Sequence, residues 1–357
     1  MLDYSLFIKS LIKKQTNKMI QTTNRDLNLM WPTQTYNNNQ FSIGFTDATL
    51  YDGLLGAVIV YYYYSKYYDN TFEIIFKQLA TEYSSYIHSD IYMSTSSPGH
   101  LGAYDIIGGG FFVFGIVDYE PIKDLQQKTL SKLSEISTVL LENVDKVDFI
   151  RGLPGLMKQV KLCYDHDMIG NSFVETLKQE FIKTEIDYNR LPDYAHGYLS
   201  QLDIIARWSI PVIIPSIDEI SNFEFGQSKW IHSWCHGSIG LIVYLISMYK
   251  SGDNSTLSII KNTYNRIIQD IKTNNFIPAG VCHGFLGIVD IVIFMYENSF
   301  IDKYEYAKTS KLIVSKLLYK KYYDPQLSSN GIMLGTFGVI YQLMRLQLKS
   351  KIPPLIL

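Results

Sequence analysis

Two short stretches carry the chemistry open to this chain. Residues 233–240 read SWCHGSIG and residues 278–287 read PAGVCHGFLG. Each sets a cysteine and a histidine side by side, directly before a Gly-x-x-Gly. Only one other cysteine, Cys163, occurs in 357 residues, too few for a disulfide framework, and a metal or thiol role in a reducing interior fits better than secretion. Two thiolates and an imidazole form a soft ligand set for Zn²⁺. Three protein ligands with a fourth position open mark a catalytic rather than a structural site. No C-x-x-C pair is present, which excludes an ordinary zinc finger. His196, in Ala195-His196-Gly197, and Asp105, four residues before Gly109, add ionisable groups near other glycine turns.

Residues this far apart in sequence meet only if the fold repeats, and internal repeats are present. Glycine motifs open at Gly53, Gly109, Gly152, Gly197, Gly237, Gly284 and Gly335, the second and fourth ending in Phe112 and Ser200 instead of glycine. Each leads into an apolar run: AVIVYYYY, VFGIV, LMKQVKL, QLDIIA, LIVYLI, IVDIVIFMY and VIYQLMRL. Between them lie amphipathic stretches. Over 255–275, Leu257, Ile260, Tyr264, Ile267, Ile268 and Ile271 share one helical face, while Lys261, Asn265, Gln269 and Lys272 share the other. A helix apolar all round is buried, and one with a single apolar stripe covers it. Seven such pairs predict an all-α fold, a closed (α/α)7 toroid with seven inner and seven outer helices. The glycine turns then crowd around a central opening on one face. The toroid is expected over 41–357 as one domain, preceded by an N-terminal helical extension over 1–40.

Composition narrows the function. Hydrophobic residues make up 47% and charged residues 18%, with 28 Tyr and 18 Phe, so a large core forms and disorder is excluded. The net charge of -2 offers no basic field for nucleic acid. The N-terminus mixes charge with apolar residues and lacks a signal peptide's features. Residues 230–249 contain no Asp, Glu, Lys or Arg, but the apolar part, 239–249, is too short for the roughly 20 residues of a membrane span. No transmembrane segment is expected.

Trp234-Cys235-His236-Gly237, Cys282-His283-Gly284, Ala195-His196-Gly197, Asp105 before Gly109 and the sevenfold glycine repeat together resemble the lanthionine synthetase C-like family, the cyclases of lantibiotic biosynthesis. The resemblance spans roughly 41–345. It implies one zinc ion per chain held by Cys235, Cys282 and His283, with His196 and Asp105 as acid/base candidates. The family usually has an arginine four residues before the first zinc cysteine; Ile231 stands there, and its work falls to His232 or Arg207, or is not done at all. The implied reaction adds a peptide cysteine thiol to a dehydroalanine or dehydrobutyrine of the same peptide, giving a lanthionine or methyllanthionine bridge. A free thiol has a pKa of about 8.5, so zinc would be needed to hold it as thiolate at neutral pH. The resemblance further implies a dehydrated lantibiotic precursor peptide as substrate, a separate dehydratase and an exporter as partners, and a cytoplasmic location with peripheral membrane association through such a complex.

Plainer roles stand beside these. His196 and Asp105 both suit helix caps. His236 reads as a cavity-lining neighbour of the metal set rather than a member of it. Asp203 and Asp290, each seven residues after a motif histidine, read as satisfied core carboxylates, Cys163 as a buried thiol, and Tyr61–Tyr64 as part of an inner helix. Two other functions use the same fold: a zinc-dependent transferase adding a small thiol such as glutathione to an electrophile, and a non-catalytic peptide-binding toroid. A helical-toroid glycosidase would need paired carboxylates in the turns, and no convincing pair is found.

Overall fold

The computed structural model describes residues 3–22, 32–37, 40–45, 49–88, 102–104, 106–120, 122–124, 145–165, 169–186, 193–210, 232–274, 277–320 and 330–357. Seven helices carry or follow the seven glycine motifs: α2 (Leu54–Tyr67), α4 (Ile106–Ile116), α5 (Leu153–Asp165), α7 (Leu199–Trp208), α8 (Ser238–Lys250), α10 (Ile288–Glu297) and α12 (Thr336–Leu348). Each packs against the next, and α12 returns to α2. They are the inner wall. In α2 every residue from Leu54 to Ser65 is buried, and in α8 every residue from Ser238 to Ser247, as the absence of a polar face requires.

Amphipathic helices cover this wall. α3 (Glu73–His88) lies on α2, α6 (Asn171–Ile182) on α5, α9 (Thr256–Thr273) on α8, and α11 (Lys303–Lys320) on α10. The stripe read from sequence in α9 is the one that packs: Ile260, Tyr264, Ile267 and Ile271 are buried, and Asn265, Gln269 and Lys272 are exposed. α1 (Ser5–Thr22) lies against α12. Ile8 and Ile12 are buried in the common core, and the Thr16 hydroxyl meets that of Tyr61 at 2.9 Å.

The ring is closed by its backbone. Each glycine turn donates a main-chain N–H to a carbonyl of the following turn: Tyr51 to Tyr104 (2.9 Å), Ala103 to Phe149 (3.1 Å), Phe149 to Ala195 (2.8 Å), Ala195 to Cys235 (3.2 Å), Trp234 to Cys282 (2.8 Å), Val281 to Met333 (2.9 Å) and Met333 back to Tyr51 (3.1 Å). Beneath these links, one residue per turn fills the hub. Leu50, Ala103, Phe149, Tyr194, Trp234, Val281 and Ile332 are all at most 1% exposed.

Two features differ from the sequence reading. An antiparallel hairpin, β1 (Pro32–Asn37) with β2 (Gln40–Phe45), pairs Pro32 with Phe45 and Asn37 with Gln40. Its Thr, Tyr, Phe and Ile content suits strands, and its Pro stands at a strand's first position, where the missing N–H costs least. The second glycine motif is also shifted. α4 begins at Ile106, and Gly109 packs on Leu50 and Leu55 as the second glycine of its turn; no glycine opens that turn.

In the third and fifth turns the second glycine is sterically required because the turn folds back onto its own carbonyl. A Cβ on Gly240 would lie 2.2 Å from the Trp234 carbonyl oxygen, and one on Gly155 would lie 1.8 Å from that of Phe149. The fourth turn carries Ser200 there, with its hydroxyl donating to the Val147 and Gly197 carbonyls at 3.3 Å. Gly240→Ala is expected to cost about 1–3 kcal/mol in chemical denaturation through this overpacking. Gly170→Ala, where an added Cβ meets nothing within 4 Å, should change stability by under about 0.5 kcal/mol; equal losses at the two sites would contradict the steric account.

Candidate functional site

Because the turns share one conformation, residues at equivalent places come to equivalent positions on the ring. In sequence, the residue before the opening position of each turn (Ile106 in the second, glycine in the others) is Asp52, Asp105, Arg151, His196, His236, His283 and Leu334 in turn order; the one before that is Tyr51, Tyr104, Ile150, Ala195, Cys235, Cys282 and Met333. Three consecutive turns thus bring up histidines. The His196 and His236 ring centres lie 5.3 Å apart, and those of His236 and His283 6.4 Å apart with planes 12° from parallel.

Below this row lie the thiols. Cys235 and Cys282 are wholly buried. Ligand atoms of Cys235, His236 and His283 all fall within 4.8 Å of one another. Cys282 is hydrogen-bonded to Cys235 and to the Tyr51 hydroxyl. The Cys235 thiol is pulled in two directions. Burial pushes it up, but hydrogen bonds from Cys282, His236 and His283 outweigh that and hold it well below the ordinary thiol range. The Cys282 thiol is pushed well up by burial and by its anionic neighbour. His236 is raised to about 10, first by Asp193 and then by Cys235. These directions favour the thiolate form at Cys235, the charged ring at His236 and the protonated thiol at Cys282.

Carboxylates orient two of the three imidazoles. Asp148 Oδ2 lies 2.6 Å from His196 Nδ1, and Asp193 Oδ2 lies 2.9 Å from His236 Nδ1. Burial works to raise Asp148, but the hydrogen bonds from His196 and the Arg151 N–H outweigh it, and the carboxyl stays below its usual range. A carboxylate at Nδ1 makes that nitrogen the donor, so the neutral ring keeps its lone pair on Nε2. The sequence reading missed Asp148 and Asp193. The signal lay in the repeat: each stands three residues before its own turn's pre-glycine position and meets that position in the next turn. The same rule holds where glycine stands. A Cβ on Gly331 would lie 1.9 Å from Asp52 Oδ1, and one on Gly102 would lie 2.3 Å from the Arg151 Cα.

Of the residues expected at the site, Cys235, Cys282, His283 and His196 are described and gathered within consecutive turns, and His236 joins them. Asp105 and Ile231 lie outside the described residues. Neither stand-in for the arginine reaches the pocket. Arg207 pairs with Asp203 at 2.7 Å, at the far end of α7 from its glycine turn, and Asp203 also accepts the Tyr194 hydroxyl at 2.5 Å, so Asp203 is a buried core carboxylate anchored by two donors at Oδ2. His232 is 1% exposed, pinned between Ser238 Oγ and Asp270 Oδ2, each at 2.8 Å; it fastens the fifth turn to α9. Cys163 is buried against the Phe111 carbonyl, its thiol pushed up to about 12 by burial. Among the described residues no helix is long and apolar enough to cross a membrane.

Comparison with known proteins agrees with this architecture. A solved structure titled nisin cyclase superposes with a TM-score of 0.67 at 16% sequence identity, covering 97% of this chain and 95% of that one. No curated protein matches in sequence. The family model described as lanthionine synthetase C-like protein matches residues 44–207 and 213–357, which include the glycine turns and the Cys/His cluster. The chain belongs to the lanthionine synthetase C-like family.

Proposed function

We propose that this protein is a zinc-dependent peptide cyclase that forms lanthionine or methyllanthionine bridges in a dehydrated lantibiotic precursor. The observation that carries this reading is the cluster of Cys235, His236 and His283 donor atoms within 4.8 Å, with Cys282 in contact and carboxylate-held His196 alongside. Thiolate and imidazole donors suit Zn²⁺, and a thiolate already favoured without any cation is a ready ligand. We assign the ion to Cys235, Cys282 and His283. When bound there, zinc supplies the Lewis acidity that lowers the pKa of a substrate thiol.

The chain's own groups do the rest. In the reaction the thiol sulfur bonds to the β-carbon of the dehydro residue, the carbon–carbon π bond breaks, and the α-carbon takes a proton. His196 is 44% exposed, with Nε2 left for the substrate by the Asp148 bond, and moves that proton. Asp148 fixes its tautomer. Asp105, equivalent by sequence to the histidine positions, is a second acid/base candidate. Asp193 holds His236 as a cation beside the Cys235 sulfur. A separate dehydratase would supply the substrate and an exporter would remove the product, in a cytoplasmic complex that meets the membrane only peripherally.

Elemental analysis should find about one zinc per chain in the wild type and little in Cys235→Ala, Cys282→Ala or His283→Ala. His236→Ala should keep it; loss there with retention in Cys282→Ala would move the third ligand to His236. Zinc-free, folded, reduced wild type would leave a peptide-binding toroid.

His196→Ala should retain zinc and slow cyclisation of a dehydroalanine-containing peptide by about 10²–10⁴-fold. Asp148→Asn should retain zinc and slow it less, by roughly tenfold or more, with kcat rather than KM affected. Full activity in His196→Ala would remove it from the reaction. Faster addition of glutathione to a small electrophile than ring closure would instead favour the thiol transferase.

A further inference from the structure

After the short helical turn at Lys349–Lys351, residues 352–357 (IPPLIL) run into the middle of the ring. Ile352, Leu355 and Ile356 are at most 2% exposed. None of these six side chains has a polar atom, yet buried polar side chains converge on their main chain. Tyr341 donates its hydroxyl to the Pro353 carbonyl at 2.8 Å, Tyr104 to Leu355 at 2.7 Å, and Lys158 donates its ammonium to Ile356 at 2.6 Å. Arg345 donates to the Ile352 carbonyl. Asp290 Oδ2 accepts both the Leu355 N–H (2.7 Å) and the Ile356 N–H (2.9 Å), while its Oδ1 pairs with Arg345 Nε at 2.7 Å.

The position of these contacts matters. Lys158 is on α5, the third inner helix, and Asp290 is on α10, the sixth. Those helices are not neighbours, and both touch Ile356. Only a residue near the ring's axis meets both. Ile356 also lies 3.5 Å from where a Cβ on Gly287 would sit, so the segment reaches the underside of the glycine turns. Tyr104, bonded to Leu355, packs edge-on against Tyr51, which contacts Cys282.

Burying Asp290, Arg345 and Lys158 is expensive unless each is paired and hydrogen-bonded. Burial pushes Lys158 down to about 7. The partners that offset this cost are mostly backbone atoms of 352–357, and a cluster of charges aimed at backbone groups is what reads an extended peptide irrespective of its side chains. Pro353 and Pro354 suit the same arrangement, since they stiffen the segment and lack N–H groups that would need partners. We infer that the axial channel of the ring is a binding site for an extended apolar peptide backbone, held here in cis by residues 352–357, which close the channel under the Cys/His cluster. Whatever reaches the cluster then does so from the glycine-turn face. The inference does not depend on the cyclase reading or on zinc.

The test uses the full chain with a protease recognition sequence inserted between Ser350 and Lys351, both exposed, so that the protein folds before it is cut. After cleavage and desalting, mass spectrometry should find the segment still bound. Excess fluorescent IPPLIL should replace it without unfolding, read by anisotropy. The same peptide N-methylated at the Leu355 and Ile356 positions should bind roughly 10- to 100-fold more weakly, because it loses the two donors to Asp290. A variant with Val at the Leu355 and Leu357 positions should bind within about tenfold of the original. Release of the segment on desalting from protein that stays folded would overturn the inference. So would exchange that occurs only on global unfolding, which would make the segment ordinary core, or competition by the N-methylated peptide equal to that of the parent.

Discussion

The structure depends on a closed circuit of main-chain hydrogen bonds. Seven turns each give an N–H to the next and receive one from the turn before. Individually such bonds contribute about 1 kcal/mol net, but in a circuit no turn can tilt or slide without breaking two. The helices follow from this constraint. Their apolar inner wall needs a cover, which the amphipathic helices give. Their N-termini, where backbone N–H groups lack helical partners, are held on one face at fixed spacing.

A ring of equivalent turns makes side-chain geometry a matter of register. The site requires no special loop; it requires the right residue types in turns four, five and six. Histidine before the first glycine in three adjacent turns gives a row of imidazoles, and cysteine one place earlier in two adjacent turns gives neighbouring thiols. Aspartate three places before the pre-glycine residue then reaches the next turn's histidine. Asp148 with His196 and Asp193 with His236 are one relation, used twice. Asp52 against Gly331 shows it across the ring's closure, where glycine stands in the carboxylate's place.

That equivalence is also why so much was legible in sequence. Inner helices such as α2 and α8 announced themselves by being apolar on every face, α9 by its stripe, and the cysteines by their repeated context. What escaped lacked such a signal or needed the turns aligned more finely. The second turn opens with Ile106 rather than glycine, so glycine spacing alone placed it three residues late. The 32–45 hairpin is short and flanked by helices, and a few alternating residues compete poorly with the 3.6-residue period around them. Asp148 and Asp193 look like ordinary loop acids until the copies are superposed. Residues 352–357 look like an apolar end, because the residues that hold them, Lys158, Asp290 and Arg345, sit in three different helices.

Charge explains why the site and the axis can lie so close without interfering. At the turns, Asp193 and Cys235 raise His236 to about 10, so negative charge there is met by an imidazolium. Along the axis, Asp290 is met by Arg345, a cation that does not lose its proton, and by fixed backbone N–H groups. The hub of Phe149, Tyr194 and Trp234 lies between, with ring centres 5.0–5.6 Å apart. Screening by water is absent there, so the two sets of charges must each be neutralised locally. The turn face is balanced by an imidazole and Asp290 by a guanidinium that keeps its proton, so the two sets are neutralised by different groups.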